Sequence, residues 1–119
     1  MPKDTIMNQE EQIEAVELSI KQAEMHITTM ESLEKLTKNE DFTSIILDGY
    51  FKEEASRLVL IKAEPSMQGV EDQAQITKSI DSIGYLRQYF STIMNLGRMA
   101  DKAVIDHKET HAELLAGEV

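Results

Sequence analysis

The chain has 119 residues, of which 22 are acidic and 12 are basic, so its formal net charge is −10, and it contains no cysteine. This length suits a single domain spanning residues 1–119. The negative charge argues against a general nucleic-acid-binding role, which needs concentrated Lys and Arg, and it favours basic protein partners. The lack of cysteine excludes disulfides, thiolate zinc sites and cysteine nucleophiles.

The sequence also lacks the apolar runs that membrane proteins and exported proteins carry. No apolar stretch follows the start Met1-Pro2-Lys3-Asp4 that could serve as a signal peptide. No run approaches the roughly 18 consecutive apolar residues that a transmembrane helix needs. We therefore expect a soluble, unexported protein that does not bind a membrane.

The first segment, residues 1–38, has an isoleucine at every seventh position. With Ile13 as position a of a heptad, the a and d positions hold Ile6, Ile13, Val16, Ile20, Ala23, Ile27 and Met30. This pattern predicts a long helix of coiled-coil type, which must bury its apolar stripe against a helix of its own chain or of another. Asn8 and Glu11 stand where an N-cap and its N3 carboxylate would begin this helix.

The e positions of the same heptads form a row of glutamates: Glu10, Glu17, Glu24 and Glu31. Such a row requires a basic or neutral row opposite it. Antiparallel pairing with the last helix would place Arg87 and Lys108 among the facing residues. Parallel pairing with a second copy would place the neutral residues Gln12, Ser19 and His26 there, and the sequence leaves both arrangements open.

The middle segment, residues 39–64, favours a helix. Asn39, Glu40 and Asp41 suit a helix start, apolar residues follow at helical spacing, and Pro65 disfavours helix in the residue before it. Asp48-Gly49 between β-forming residues is also a hairpin signal. The helix-forming residues after it favour a helix with a weak point at Gly49, with the hairpin as the alternative.

Residues 65–69 predict a loop, and residues 70–116 predict a second long helix. Its heptads have Ile76, Ile83, Phe90, Gly97 and Val104 at a, and Leu86, Ile93, Ala100 and Leu114 at d, with weaker layers at Ser79, His107 and His111. Gly84 and Gly97 each cost about 1 kcal/mol relative to alanine inside a helix, which predicts a kink or a close backbone approach. The fold class is therefore all-α, with two long coiled-coil-like helices bracketing a shorter one.

One window of the last helix has the composition of a protein interface. All six aromatic residues lie between residues 42 and 90, and no acidic residue occurs between Ser82 and Ala100. Aromatic residues, Met and Arg are enriched in interfaces, where charge is depleted at the centre. The window is either the middle of the chain's own core or a surface for a partner, and a helix buried all round would serve both.

Candidates for chemistry are few. His107 and His111 have the i, i+4 spacing of a metal chelate, but two ligands do not make a site, and a pH-sensitive layer is the alternative. The motif Glu10-Glu11-x-x-Glu14 resembles the first metal-binding signature of the all-α nucleotide pyrophosphohydrolases. Their second acidic element has no counterpart between residues 30 and 60, so a coiled-coil surface accounts for these glutamates. We expect no catalytic residue, metal or cofactor.

Two resemblances concern the whole architecture. Four stretches carry the first resemblance: Asn39-Glu40-Asp41-Phe42, Gly49-Tyr50-Phe51-Lys52-Glu53-Glu54-Ala55-x-Arg57-Leu58-Val59, Ile83-Gly84-Tyr85-Leu86-Arg87-Gln88-Tyr89-Phe90 and Gly97-x-Met99-Ala100. Together they resemble a group of small helical proteins of tailed bacteriophages. This resemblance covers about residues 33 to 110 and implies a virion component or an assembly factor. The order long helix, short middle, long helix is also similar to prefoldin-like chaperone subunits, whose middle forms β-hairpins.

The sequence thus predicts a non-enzymatic phage virion structural or assembly protein that acts by helix-mediated docking. The expected partners are further copies of the chain or other virion subunits, in the host cytoplasm during assembly, with the finished virion as a further location. An acidic inhibitor that mimics nucleic acid and a prefoldin-like subunit are the alternatives. The residues predicted for the interface are Ile13, Val16, Ile20, Ile27, Met30, Tyr85, Arg87, Tyr89, Phe90, Met94, Arg98 and Met99.

Overall fold

The structure, a computed structural model, describes residues 8–117, and this part of the chain is helical without a strand. Helix α1 spans Gln9–Thr37, helix α2 covers residues 40–62, and helix α3 spans Val70–Ala116. A single 3-10 turn, Pro65–Met67, stands between α2 and α3. The predicted all-α fold with two long helices around a shorter one is confirmed; Ile6 lies outside the described residues.

Both predicted helix starts carry side-chain caps. The Oδ1 atom of Asn8 accepts the backbone N–H of Glu11 at 2.8 Å, and the Asn8 amide donates to the Glu11 carboxylate at 3.3 Å. The Oδ1 atom of Asn39 accepts the backbone N–H of Phe42 at 2.9 Å. These bonds satisfy amides that have no partner within the helix, so the polar residues before each apolar pattern set where the helices begin.

Helix α2 changes its winding along its length. It is α-helical at Glu40–Phe42, π-helical over Thr43–Glu54 and α-helical again over Ala55–Lys62. The hairpin alternative for Asp48-Gly49 is therefore not what forms, since both residues lie within the π-helix. A π-helix is rare and is seen mostly as a single turn, so twelve residues of it form an unusual segment.

A network of side-chain amides closes the short connection between α2 and α3. Gln73 donates to the carbonyl oxygens of Lys62 and Met67 at 2.9 and 2.8 Å, and the Lys62 ammonium donates to the Gln73 side chain at 2.9 Å. Gln68 donates to the carbonyls of Lys62 and Glu64 at 2.9 and 2.8 Å. The carbonyl groups at the end of α2 thus find donors in the predicted loop and in the first turn of α3.

The chain packs as two compact units. The middle unit is the continuous stretch Ser32–Thr92. Its core consists of the buried side chains of Leu58, Ile76 and Ile83. Aromatic rings pack beside them, with the ring centroids of Phe51 and Phe90 5.8 Å apart in an edge arrangement. Edge contacts of this kind stabilise aromatic pairs beyond their buried area.

The two-helix unit combines residues 8–31 of α1 with residues 93–117 of α3. The two segments run antiparallel, because Gln9 donates to the carbonyl of Leu114 while Met30 packs against Gly97. A Cβ atom placed on Gly97 would overlap the Met30 side chain, so this glycine is the close approach that the sequence predicts. At Gly84, in the middle unit, a Cβ atom would meet nothing within 4 Å.

Candidate protein-binding surface

The interface residues predicted in α1 lie on the side of the helix that α3 covers within the two-helix unit. Met30 is buried, and Ile13, Val16, Ile20 and Ile27 are half-buried. The facing residues of α3 include the buried Ala100 and Leu114. The first helix therefore finds a partner in its own chain, and the apolar stripe of the heptads is largely used by the intramolecular seam.

The interface residues predicted in α3 divide between two sides of the helix. Tyr85, Tyr89 and Met99 are 65, 61 and 68% exposed. Arg87 and Arg98 are also exposed, whereas Phe90 and Met94 are half-buried. The ring of Phe90 packs within the aromatic cluster of the middle unit. Phe90 therefore contributes to the core, and the tyrosines and Met99 remain available to a partner.

A groove runs along one side of the two-helix unit and is a candidate binding surface. It has a volume of about 340 Å³ and is lined by Ser19, Gln22, Ala23, His26, Leu96, Met99, Ala100, Ala103 and His107. That volume is at the small end for ligand pockets. Because its floor and walls are the surfaces of two helices, the groove suits side chains of a third helix better than an enclosed small molecule.

The groove carries no Lys, Arg, Asp or Glu among its lining residues, although 29% of the chain is charged. The other flank of α1 carries the exposed carboxylates of Glu17, Glu24 and Glu31. Charge is depleted at the centre of protein interfaces because desolvating an unpaired charge is costly. The absence of charge distinguishes this groove from the opposite flank of α1.

The groove is lined by small side chains and by one that protrudes. Ala23 and Ala100 are buried where the two helices meet, whereas Met99 is 68% exposed. Methionine is flexible and polarisable, so it adapts to different packing partners. The groove thus combines small residues between the helices with a projecting apolar side chain.

The predicted histidine pair does not converge on a metal. His107 lines the groove, whereas the Nε2 atom of His111 lies 3.0 Å from Oε1 of Glu17 on α1. Among residues 8–117, no three His, Asp or Glu side chains come together in a group able to hold a metal ion. The His111–Glu17 pair joins residues 94 positions apart, and only the antiparallel register of the seam could have indicated it.

The glutamates of the pyrophosphohydrolase-like motif are exposed along the first turns of α1. Glu10, Glu11 and Glu14 all have exposed side chains, and Glu11 takes part in the N-cap of the helix. These positions agree with the helix-surface role that the sequence predicts for them. On α2, Arg57 likewise donates two hydrogen bonds to the Glu54 carboxylate, at 2.5 and 2.9 Å.

The described residues bury few side chains completely. Among residues 8–117, eight hydrophobic residues are buried, and none of the large side chains is less than 2% exposed. The exposed large hydrophobic residues are Leu18, Met25, Leu36, Ile45, Val59, Leu60, Val70, Tyr85, Tyr89, Leu96, Met99, Ile105 and Leu115. Single exposed hydrophobic residues are ordinary, so the informative feature is that two of these residues, Leu96 and Met99, line an uncharged groove.

The comparisons with known proteins assign no family. No family model matches the chain, and neither a curated protein nor a solved structure is significantly similar to it. Within residues 8–117, none of the helices combines the length and apolar character that a membrane span needs. We therefore infer function from the surface of the molecule itself.

Proposed function

We propose that the protein is a non-enzymatic docking module that binds other protein subunits through its helices. The observation that carries this proposal is the groove of the two-helix unit, where apolar side chains are exposed and charge is absent. Binding a helical partner there would cover Leu96 and Met99 without desolvating a charged group. The glutamate flank of α1 would remain in solvent and keep the assembly soluble.

We further propose that the docking serves the assembly or the structure of a tailed-bacteriophage particle. The support is the resemblance of residues 33 to 110 to small helical phage proteins. In this role the protein acts in the host cytoplasm during assembly, and it binds other virion subunits or further copies of itself. The alternative role of an acidic mimic would use the glutamate flank instead of the uncharged groove.

The docking proposal is tested by placing a carboxylate in the groove. Met99→Glu introduces a charge at the groove, and Ile105→Glu introduces the same charge on α3 outside the groove lining. The two side chains are 68 and 66% exposed, so the variants are matched in burial. We expect Met99→Glu to abolish any self-association of the concentrated protein while Ile105→Glu leaves it intact, as measured by light scattering; docking onto another subunit is measured on particles.

The assembly role is tested on particles. Mass spectrometry of purified particles, and of assembly intermediates isolated from infected cells, should detect the chain in one or both. We expect Met99→Glu to lower its amount in that fraction and Ile105→Glu to leave it unchanged. Absence of the wild-type chain from both fractions would contradict the assembly role, even if the groove binds a protein.

A further inference from the structure

We propose that the outer side of α1 binds a basic amphipathic helix of another protein. This surface consists of a glutamate row and of two exposed apolar residues beside it: Glu10, Glu17, Glu24 and Glu31, with Leu18 and Met25. None of these residues lines the uncharged groove, so the inference adds a second binding surface that does not depend on the first. The charge, the apolar residues and the spacing of this surface identify the partner.

The negative charge of this surface is not neutralised within the two-helix unit. Residues 8–31 contain six glutamates and a single basic residue, Lys21. A row of glutamates at this spacing needs basic residues opposite it. Within residues 8–117 the row forms one ion pair, between Glu17 and His111 at 3.0 Å, and its other three members form none. Charge complementarity therefore favours a basic partner from outside the chain.

The two apolar residues add a contact that charge alone does not provide. Leu18 and Met25 are 56 and 66% exposed, and each directly follows a glutamate of the row. Met25 and Glu24 border the same shallow recess, which has a volume of about 400 Å³ and is completed by Lys21, Thr28 and Thr29. A partner that covers Met25 removes apolar surface from water while a cation meets the carboxylate beside it. The surface therefore suits a partner that is apolar and basic on the same side.

The spacing identifies this partner as a helix. The members of the glutamate row are seven residues apart, as are Leu18 and Met25, and seven residues of α-helix cover about 10.5 Å. A helix with basic residues at every seventh position repeats this distance, as in a coiled coil. Side chains on one face of an extended strand repeat about every 6.6 Å and fall out of step with the row. A helix of four heptads therefore matches the whole row.

The partner is not a second copy of this chain. No Lys or Arg of the sequence is followed by another Lys or Arg seven residues later. Two copies, each with a formal charge of −10, would also bring like charges together at this surface. The partner is therefore a different protein, whose helix carries Lys or Arg beside an apolar stripe at heptad spacing.

The test uses two synthetic helical peptides as probes. The matched peptide has four heptads, each with one lysine and one adjacent leucine, and alanine and glutamine elsewhere. The control peptide has the same composition, with its lysines and leucines at intervals of six residues. We expect the matched peptide to bind about tenfold or more tightly than the control, as measured by fluorescence anisotropy. Its Kd should rise about tenfold when NaCl is raised from about 50 to about 300 mM, because salt screens exposed charges.

Matched charge substitutions show where the peptide binds. Glu24→Gln with Glu31→Gln removes two exposed charges of the row and leaves the Glu17 pair intact, whereas Glu109→Gln with Glu113→Gln removes two exposed charges of α3. Both double variants have the same net charge. We expect the first to weaken binding of the matched peptide about tenfold and the second less than about twofold, because only the row contacts the lysines.

The apolar contact is tested with a second matched pair. Met25 and Ile105 are both 66% exposed, and Ile105 lies on α3 outside the surface. We expect Met25→Gln to weaken binding of the matched peptide about threefold or more, because less apolar surface is covered, and Ile105→Gln to leave it unchanged. Circular dichroism of all variants should show unchanged helix content, which separates lost binding from lost folding.

The outcomes separate this inference from docking at the groove. Equal binding of the two peptides overturns the inference, because the attraction is then indifferent to spacing. Binding that survives Glu24→Gln with Glu31→Gln but is lost in Met99→Glu places the peptide in the groove and also overturns it. If neither peptide binds while Met99→Glu removes the chain from particles, only this inference fails. If the matched peptide binds as expected while Met99→Glu changes nothing in particles, only the groove function fails.

Discussion

The two units of the molecule are packed with different kinds of side chain. In the two-helix unit, small residues such as Ala23, Gly97 and Ala100 form the seam, and the helices follow a regular heptad pattern. In the middle unit, leucine and isoleucine side chains pack with aromatic rings, and α2 departs from α-helical winding. Small residues allow close helix contact in register, whereas bulky rings impose a local fit that no simple repeat describes.

The largest effect is expected from a substitution in the core of the middle unit. Leu58 is 6% exposed, so Leu58→Ala should lower the free energy of unfolding by about 2–4 kcal/mol through lost apolar contacts and a cavity. Leu60 lies two residues later and is 70% exposed, so Leu60→Ala should change the free energy of unfolding by less than about 0.5 kcal/mol. Urea unfolding followed by circular dichroism measures both; equal losses would mean that the bulky core does not stabilise this unit.

The second largest effect is expected at Gly97, where the Met30 side chain packs against the glycine. Gly97→Ala should lower the free energy of unfolding by about 1–3 kcal/mol, because the new methyl group overlaps Met30 and the helices must move apart. Gly84→Ala is the matched control and should raise the free energy of unfolding by up to about 1 kcal/mol. Alanine has the higher helix propensity, and a Cβ atom at position 84 meets nothing within 4 Å. Thermal unfolding compares the two, and combining Gly97→Ala with Met30→Ala should relieve the clash.

The π-helix predicts a smaller effect of the same kind. A Cβ atom on Gly49 would lie 2.9 Å from the backbone oxygen of Ser44, which is closer than side chains tolerate. We therefore expect Gly49→Ala to destabilise the protein by about 1 kcal/mol, opposite in sign to Gly84→Ala. If Gly49→Ala raises the unfolding temperature as Gly84→Ala does, residues 43–54 are wound as an ordinary α-helix.

The smallest effect concerns the exposed pair on α2. The hydrogen bond from Arg57 holds the pKa of Glu54 below its ordinary value, and the same bond raises the pKa of Arg57. A lowered carboxyl pKa stabilises the fold above the ordinary pKa of the group, and this contribution is lost as the pH falls through the lowered value. Nuclear magnetic resonance titration should show the Glu54 pKa rising in Arg57→Gln and unchanged in Arg98→Gln; no rise would mean that the pair does not persist in solution.

The regular parts of the fold could be predicted from the sequence, because each is encoded by neighbouring residues. Asn8 and Asn39 mark their helix starts by local hydrogen bonds, and the heptads of α1 and α3 identify the side on which the seam forms. The unusual winding at residues 43–54 could not be predicted, since Asp48-Gly49 is compatible with a turn, a hairpin or a helix. Phe51 of this segment packs against Phe90, which is distant in sequence, so the environment of the segment is not encoded by its neighbouring residues.

The candidate groove was harder to predict than the seam. Its residues include Ser19, Gln22 and Ala103, which are inconspicuous singly and become a surface only when α1 and α3 lie in antiparallel register. The aromatic window between Ser82 and Ala100 drew attention to Met99, which is exposed in the structure. It did not separate Met99 from Phe90, because composition reports which residues are present and not which side of a helix they occupy.

The connectivity of the units also fixes an order of events during synthesis. The middle unit is one unbroken stretch, Ser32–Thr92, and its α2–α3 connection is closed by local amide hydrogen bonds. The two-helix unit needs residues from both ends of the chain, such as Glu17 and His111. Local contacts close shorter loops than distant ones and form more readily, so the apolar stripe of α1 has no partner within this unit until residues 93–117 have been synthesised.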